Sequence, residues 1–356
     1  MNRIELLREL CLANGVSGNE DEVRKIMKEN ISKVDSIKYD KLGSIAFYNE
    51  GENDKPKILI VAHMDELGFV IKAIGEDGLL QLQKVGGWTP QTILSSQLKV
   101  ITRAGEEYPG TVGSIPVHHK SESEQNKVIK ISEMYFDVGA SSRQEIDDYG
   151  IKIGDTVISD VEFVHMKKSN KVMCKAFDDR VGVSSVIDIM NYFSDKYHPN
   201  TIIGAGSVQE EVGCRGANTL AELVKPDLAI ILEGAPTDDF PGLKNIPQTK
   251  IGAGAHVRIW DPTMIVNSNY KNVILDIAEE AKVKFQTTVR KGGGTDGKVI
   301  HISNLGVPSI VLGVPVRYAH THRGIISLDD YDQLQKLLHA IITEIDKTVY
   351  NEIIKF

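Results

Sequence analysis

The chain is poor in cysteine: only Cys11, Cys174 and Cys214 occur among its 356 residues, and they lie far apart. Three scattered thiols exclude a disulfide framework and a zinc site built from several thiolates. This cysteine content is typical of proteins in a reducing compartment, and we therefore predict a cytoplasmic protein.

Long apolar runs and an excess of basic residues are also missing. The longest apolar segments are far shorter than the roughly 20 residues of a bilayer-spanning helix. Residues 1–9 mix charged side chains with leucines, so we expect no signal peptide. Against 49 Asp and Glu there are only 41 Lys and Arg, which give a net charge of -8 and are dispersed along the chain. We therefore expect neither a membrane nor a nucleic acid as partner, and predict small molecules or peptides instead.

Four apolar segments of strand length are each followed by ionisable residues. The segments 58–62, 201–208, 228–232 and 309–314 are followed in turn by His63 and Asp65, by Glu210 and Glu211, by Glu233, and by His320. Runs that are apolar throughout are typical of parallel strands covered on both faces. Because functional groups gather at the carboxyl ends of such strands, we expect two histidines and several acids to converge.

Helical patterns alternate with these strands, which predicts an α/β protein with a layered mixed sheet flanked by helices. The predicted helices are 4–13, about 22–31, 179–193, 217–224, 270–282 and 330–348, and Ser17 is expected to cap the second of them, with Glu20 three residues later. From 69 to 164, short alternating segments separated by turns predict a small β-rich insertion. The main domain would then comprise 1–68 and 165–356, with 69–164 as a lid or assembly arm.

The converging side chains are imidazoles and carboxylates, without a thiolate. This donor set suits zinc, cobalt or manganese, and one bridging carboxylate could hold two ions about 3.5–4 Å apart. Asp178 and Asp179 lie at the start of a predicted helix, where an acid commonly acts as an N-cap. We assign the cap to Asp179 and the metal to Asp178.

Five separated motifs resemble those of the tetrahedral (TET-type) dinuclear metallo-aminopeptidases, which include glutamyl and deblocking aminopeptidases. The motifs are AHMDELG at 62–68, KAFDDR at 175–180, QEEVG at 209–213, GGTDG at 293–297 and RYAH at 317–320. They occur in matching order over almost the whole chain. The resemblance implies a zinc-peptidase-like catalytic domain, with the insertion as a lid or dimerisation domain.

The resemblance also implies two divalent metal ions per subunit, zinc first, with cobalt or manganese as alternatives. His63, Asp178 and Glu233 would hold one ion, and Asp178, Glu211 and His320 the other, so that Asp178 bridges them. The family commonly has aspartate at the position of Glu233, and we expect the longer side chain to alter the distance, occupancy or preference of that ion.

Further roles follow from chemistry and from the resemblance. Glu210 is implied to be the general base, because a proton carrier must be a carboxylate that is not committed to a metal. Asp65 would accept the free ring N–H of His63 and fix its tautomer. Thr295 and Asp296, in the glycine-rich motif, are implied to lie near the substrate. His322 is a second candidate for the ligand role assigned to His320.

These observations predict a metal-dependent aminopeptidase that removes the first residue from short peptides with a free N-terminus. The resemblance implies a homo-oligomer, a dodecamer with dimers formed through the insertion. One alternative is a cellulase-like glycoside hydrolase, since paired carboxylates can cleave glycosidic bonds, but it leaves His63 and His320 unexplained. Another alternative is a catalytically silent metal-binding scaffold, which would have no need of Glu210.

Overall fold

The computed structural model describes residues 2–243 and 246–355. Within these ranges the α-helices are α1 (Arg3–Leu12), α2 (Asp21–Asn30), α3 (Glu122–Gln125), α4 (Arg143–Asp148), α5 (Phe177–Phe193), α6 (Arg215–Val224), α7 (Ser268–Glu280), α8 (Gly297–Ile300), α9 (Leu328–Glu344) and α10 (Lys347–Ile353). None of these helices in the described ranges combines the length and the hydropathy that crossing a bilayer requires.

The strands of the same ranges are β1 (Ser36–Tyr39), β2 (Ile45–Asn49), β3 (Lys57–His63), β4 (Gly68–Ile74), β5 (Leu80–Val85), β6 (Gln97–Ile101), β7 (Glu107–Gly113), β8 (Tyr135–Asp137), β9 (Thr156–Ser159), β10 (Val164–Met166), β11 (Lys171–Cys174), β12 (Thr201–Ser207), β13 (Leu228–Pro236), β14 (Ala255–Asp261), β15 (Met264–Ile265), β16 (Phe285–Val289), β17 (Ser309–Val316) and β18 (Gly324–Ser327). They form a large mixed sheet, a barrel and a small antiparallel sheet of β10, β11 and β18.

The mixed sheet is the centre of the fold. Its nine strands in the described chain have the order β1-β2-β12-β3-β13-β17-β14-β15, with β16 paired to β14. β12, β3, β13 and β17 run parallel, so their carboxyl ends lie at one edge. The β3 side chains from Ile58 to Ala62 are at most 1% exposed, as expected for a strand covered on both faces. The predicted α/β fold with a layered mixed sheet is confirmed.

Helix α5 positions the loops at this edge. It packs against β3, β12 and β13 and also contacts α1 and α9. Its start lies directly against β13: a Cβ added to Gly234 would lie 2.7 Å from the Asp178 Cα. Because glycine has no side chain, the start of α5 can approach the strand next to Glu233 this closely.

Strands β4 to β9 close into a separate barrel in the order β4-β5-β8-β7-β6-β9. The barrel has its own hydrophobic core, in which Phe69, Trp88 and Phe136 are at most 5% exposed. The rings of Phe69 and Trp88 stack with centroids 5.1 Å apart. The predicted small β-rich structure is therefore present between Gly68 and Ser159, whereas the domain limits at 69 and 164 stay a prediction.

Two local predictions are wrong. Ser17 does not cap α2, which begins after Glu20 without a side-chain cap, and the Ser17 hydroxyl instead donates to Asp65 Oδ2 at 2.6 Å. The predicted helix 330–348 is two helices, because α9 ends at Glu344 and a new helix starts after Asp346. The Asp346 carboxylate accepts from the Val349 N–H at 2.8 Å, a local bond that starts α10.

Candidate active site

The carboxyl edge of the sheet brings together the residues predicted to bind metal. His63 is the last residue of β3, Glu233 lies within β13, and Asp178 is the second residue of α5. Glu211 follows β12, and His320 follows β17. Ligand atoms of His63, Asp178 and Glu211 all lie within 4.8 Å of one another. Asp178, Glu211, Glu233 and His320 line one cavity of ≈ 380 Å³.

The Asp178 carboxylate lies between two imidazoles. His63 Nε2 is 3.1 Å from Asp178 Oδ1, and His320 Nε2 is 3.2 Å from Asp178 Oδ2. Burial opposes ionisation of this carboxyl group, but the hydrogen bonds to His320 and His63 outweigh it and lower the Asp178 pKa. The hydrogen bond to Asp178 in turn raises the pKa of His320 to about 9. Each imidazole nitrogen thus faces a different oxygen of one carboxylate.

Asp65 organises the loop that carries the two adjacent glutamates. Its carboxylate accepts from the backbone N–H groups of Glu210 at 2.9 Å and Glu211 at 3.1 Å, and from the Ser17 hydroxyl. His63 Nδ1 is 3.1 Å from the Asp65 backbone oxygen and 3.4 Å from Asp65 Oδ1. Asp65 therefore contacts the His63 ring through both groups, and its carboxylate mainly fixes the Glu210 turn.

Asp179 is engaged by the backbone instead of the imidazoles. Its Oδ1 accepts from the Gly182 N–H at 3.0 Å, in the first turn of α5, and its Oδ2 accepts from the His63 N–H at 3.3 Å. The peptide bond between Asp178 and Asp179 is cis. The two adjacent acids thus face different partners, as the assignment of the cap to Asp179 requires.

The remaining acids form a buried cluster in which carboxyl groups outnumber imidazoles. Burial and then the charges of other nearby acids raise the pKa of Glu210 to about 8 and that of Glu211 to about 7. Burial and the charge of Asp178 raise the pKa of Glu233 well above its ordinary value. A divalent cation would relieve this repulsion, and the imidazole and carboxylate donors fit zinc, cobalt or manganese. The residues present therefore fit a bound metal.

Comparison with known proteins identifies the family. The model of the family described as M42 glutamyl aminopeptidase matches residues 43–337. The chain belongs to the M42 glutamyl aminopeptidase family. A second family model, described as AMPT, matches residues 2–27. The M42 peptidases are metal-dependent hydrolases that act as aminopeptidases, in agreement with the donor set at the sheet edge.

Individual members of the family are similar over almost their whole length. The glutamyl aminopeptidase of Lactococcus lactis is 33% identical over 356 residues, which cover 99% of each chain. The lysyl aminopeptidase of Pyrococcus furiosus is 29% identical, and the aligned region covers 97% of that protein and 96% of this chain. The crystal structure of a TET aminopeptidase from a marine sediment Thaumarchaeota archaeon has 36% identity and a TM-score of 0.96, with 99% of both chains covered. The resemblance to the TET aminopeptidases is confirmed.

In this M42 family member, His320 faces the acid cluster and His322 does not. His322 Nδ1 is 2.6 Å from the Ser159 hydroxyl, and its ring centroid is 4.6 Å from that of Trp88. Burial lowers the pKa of His322 to about 4. The neutral ring is therefore packed against the barrel, and the structure brings no acid of the cluster to it.

The two candidate substrate residues are buried next to the site. Thr295 and Asp296 are each 1% exposed, and the Asp296 carboxylate accepts from the Ser207 hydroxyl. Cys214 connects them to the predicted base, since its Sγ is 3.4 Å from Glu210 Oε1 and from the Thr295 backbone oxygen. Thr295 is thus connected to Glu210 through Cys214, and Asp296 is connected to β12 through Ser207. Direct contact of either residue with a substrate stays a prediction.

Several residues near the site were not assigned to it from the sequence. Ser17 holds Asp65, and Glu20 Oε1 accepts from the Gln209 N–H at 3.2 Å, so the loop before α2 supports the Glu210 turn. Arg258 and Arg290 line the same cavity as the acids. Arg258 lies in β14 and Arg290 directly after β16, and neither position carries a local sequence signal of this placement. For Ser17, its position next to a helix favoured the wrong interpretation.

Proposed function

We propose that this M42 aminopeptidase binds two divalent ions and uses Glu210 as its general base. His63, Asp178 and Glu233 would hold one ion, and Asp178, Glu211 and His320 the other. The observation that carries this proposal is the position of the Asp178 carboxylate between His63 Nε2 and His320 Nε2. A carboxylate with one oxygen towards each imidazole is suited to bridging. The donor set favours zinc, with cobalt or manganese as alternatives.

The bound ions would polarise the scissile carbonyl and lower the pKa of a water molecule from 15.7 towards about 7. Glu210 takes the proton from the attacking water and then donates it to the departing amine. Asp65 holds this residue in place through the Glu210 N–H, and Cys214 Sγ–H donates to Glu210 Oε1. Glu210 can carry a proton because its carboxylate is not among the proposed metal ligands.

The proposed substrates are short peptides with a free N-terminus. The cavity of ≈ 380 Å³ has room for one residue and the scissile bond beside the acids. The free α-amine of the first residue would be held at the metal-binding end of the cavity, which would confine cleavage to the first peptide bond.

We further propose the domain division 1–68 and 165–356 for catalysis, with 69–164 as a lid or dimerisation domain. The contact of Trp88 with His322 supports this role, as does Gly87, where an added Cβ would lie 3.0 Å from His320 Nδ1. The insertion thus reaches the loop that carries His320. From the resemblance to the TET aminopeptidases we propose a dodecamer, which light scattering would test.

The Glu210→Gln variant tests the mechanism. We expect a loss of kcat by several orders of magnitude on aminoacyl coumarylamides, while metal analysis still finds two ions per subunit. The matched control is Glu222→Gln, which makes the same change at an exposed position in α6 and should leave kcat unchanged. Wild-type rates in Glu210→Gln, or loss of both ions from it, would contradict the role of Glu210.

Metal removal separates this function from the two alternatives. Chelation should abolish peptide cleavage, and zinc should restore it. Cleavage of cellulose that survives chelation would instead support a glycoside hydrolase. Metal-loaded protein that cleaves no aminoacyl substrate would support a silent scaffold.

A further inference from the structure

One of the three cysteines lies in the wall of the candidate active-site cavity. Cys214 directly precedes α6, is 5% exposed, and lines the same cavity as Glu210 and Glu233. Its backbone has φ 55° and ψ 37°, a left-handed conformation that residues with a Cβ rarely adopt. Glycine would adopt this conformation with less strain. A cysteine at such a position therefore indicates a use for its side chain.

The Cys214 thiol lies between Glu210 and the glycine-rich segment. Its Sγ is 3.4 Å from Glu210 Oε1 and also 3.4 Å from the Thr295 backbone oxygen. The thiol has a single hydrogen, for which these two oxygens compete. A charged carboxylate is a stronger acceptor than a peptide carbonyl, so the ionised Glu210 side chain takes most of this hydrogen bond.

In the described part of the chain, this thiol is the only hydrogen-bond donor to the Glu210 carboxylate. Asp65 holds the same residue through the Glu210 backbone N–H at 2.9 Å, which fixes the turn but leaves the side chain free to rotate. Within the described ranges, Glu210 Oε1 thus has a partner and Oε2 has none. With Oε1 held, Oε2 is the oxygen left to exchange a proton with water.

The observed position of the Glu210 side chain is one that its charge disfavours. Ligand atoms of Glu210, Cys214 and Asp296 all lie within 4.8 Å of one another, so two carboxyl groups approach each other beside the thiol. Asp296 is 1% exposed, and water therefore screens their repulsion poorly. Without the thiol hydrogen, Glu210 would be free to turn away from Asp296 and would be attracted to an ion held by the adjacent Glu211. A glutamate bound to a metal could no longer serve as the base.

We propose that Cys214 is a positioning residue, whose thiol holds Glu210 Oε1 away from the metal ions so that Oε2 faces the attacking water. This inference rests on the proposed function, in which Glu210 is the general base. Cys214 acts only through Glu210 in this role. Its effect should therefore fall on the chemical step and not on substrate binding.

The variants Cys214→Ala and Cys214→Ser test this role. They differ only in a hydroxyl group, and both retain the Cβ, so the backbone at this position is equally strained in each. We expect Cys214→Ala to lower kcat about 10-fold on an aminoacyl coumarylamide that the wild type cleaves, with KM changed less than about twofold, because a hydrogen bond to a charged group is lost. Cys214→Ser retains a donor and should stay within about threefold of the wild-type kcat. Cys11→Ala is the matched control, since it removes a buried thiol from α1, and it should leave kcat unchanged.

The visible absorption of the cobalt-loaded proteins gives a readout that does not depend on activity. An additional carboxylate ligand changes the coordination geometry of cobalt and lowers the intensity of its visible bands. We expect weaker bands in Cys214→Ala, where Glu210 can reach an ion, and a wild-type spectrum in Cys214→Ser. Metal analysis should find two ions per subunit in both variants.

The outcomes separate this inference from the proposed function. Equal kcat values for Cys214→Ala and Cys214→Ser would show that the thiol hydrogen is not what matters, and would overturn the inference. An increase in KM at unchanged kcat, a wild-type cobalt spectrum in Cys214→Ala or loss of an ion from it would also overturn the inference. Wild-type rates in Glu210→Gln would refute the proposed function itself. An inactive Glu210→Gln combined with a wild-type kcat in Cys214→Ala would refute the positioning role alone.

Discussion

Glu66 is the best position at which to test how the site loops are held, because it is the single acid between two buried cations. The Lys175 Nζ is 2.6 Å from Glu66 Oε1, and Arg180 NH2 is 3.4 Å from the same oxygen. All three side chains are at most 4% exposed. Lys175 also donates to the Ala13 backbone oxygen at 3.1 Å, so this group joins the end of α1 to the loop after β3. Glu66→Gln removes the only negative charge of the group.

The magnitude follows from burial. Removing one partner of a buried ion pair costs about 3–5 kcal/mol, because the other charge is left uncompensated. Burial already lowers the pKa of Lys175 with Glu66 present, so the ammonium without its partner is strongly disfavoured. For 356 residues, an unfolding entropy of about 2.1 cal/mol/K per residue gives roughly 0.75 kcal/mol/K. A loss of about 4 kcal/mol should therefore lower Tm by about 5 °C.

Differential scanning calorimetry of the metal-loaded wild type and Glu66→Gln measures this change. The double variant Glu66→Gln/Lys175→Met should recover part of the lost Tm, since it also removes the unpaired ammonium. Asp195→Asn is the matched control: its ion pair with Lys33 is exposed to solvent, and we expect no measurable change. The reasoning is refuted if Glu66→Gln melts within about 1 °C of the wild type.

Three further predictions concern the sheet, the site loop and acid sensitivity. Gly313→Ala should lower the free energy of unfolding by about 3 kcal/mol, as measured in urea, because the new Cβ would lie 2.1 Å from the Glu233 backbone oxygen. The same displacement of Glu233 should reduce the affinity for zinc. An unchanged free energy of unfolding would show that β13 can move to make room. Ser17→Ala should cost about 1 kcal/mol and lower kcat a few-fold through the lost bond to Asp65, measured by melting and by coumarylamide kinetics; an unaltered kcat would separate Ser17 from the Glu210 turn. Burial lowers the pKa of His339 to about 4, so its stabilising contribution is present above pH 6.5 and lost as the pH falls towards 4. Urea titrations should therefore show that His339→Gln loses about 1 kcal/mol less unfolding free energy than the wild type as the pH falls over this range. Equal losses in the two proteins would contradict the lowered pKa of His339.

The sequence predicted the fold because the strands of the parallel sheet are apolar throughout. The runs at 58–62 and 228–232 do not alternate, and burial on both faces is what such runs require. Helix ends were harder to predict. The break between α9 and α10 depends on one bond from Asp346 to the Val349 N–H, and the apolar spacing continues across it.

The sequence alone could place His63, Glu210, Glu211 and Glu233 at one edge, since each lies near the end of an apolar run and parallel strands end together. Which oxygen faces which imidazole was decided only by the packing of α5, which puts Asp178 against Gly234. Composition likewise predicted a net negative charge for the chain, but it could not predict that cationic side chains line the cavity. Arg258 lies in β14 and Arg290 directly follows β16. Only the pairing of these two strands brings the two arginines near each other. Charge at a site depends on distances in space, and these are set by the tertiary fold.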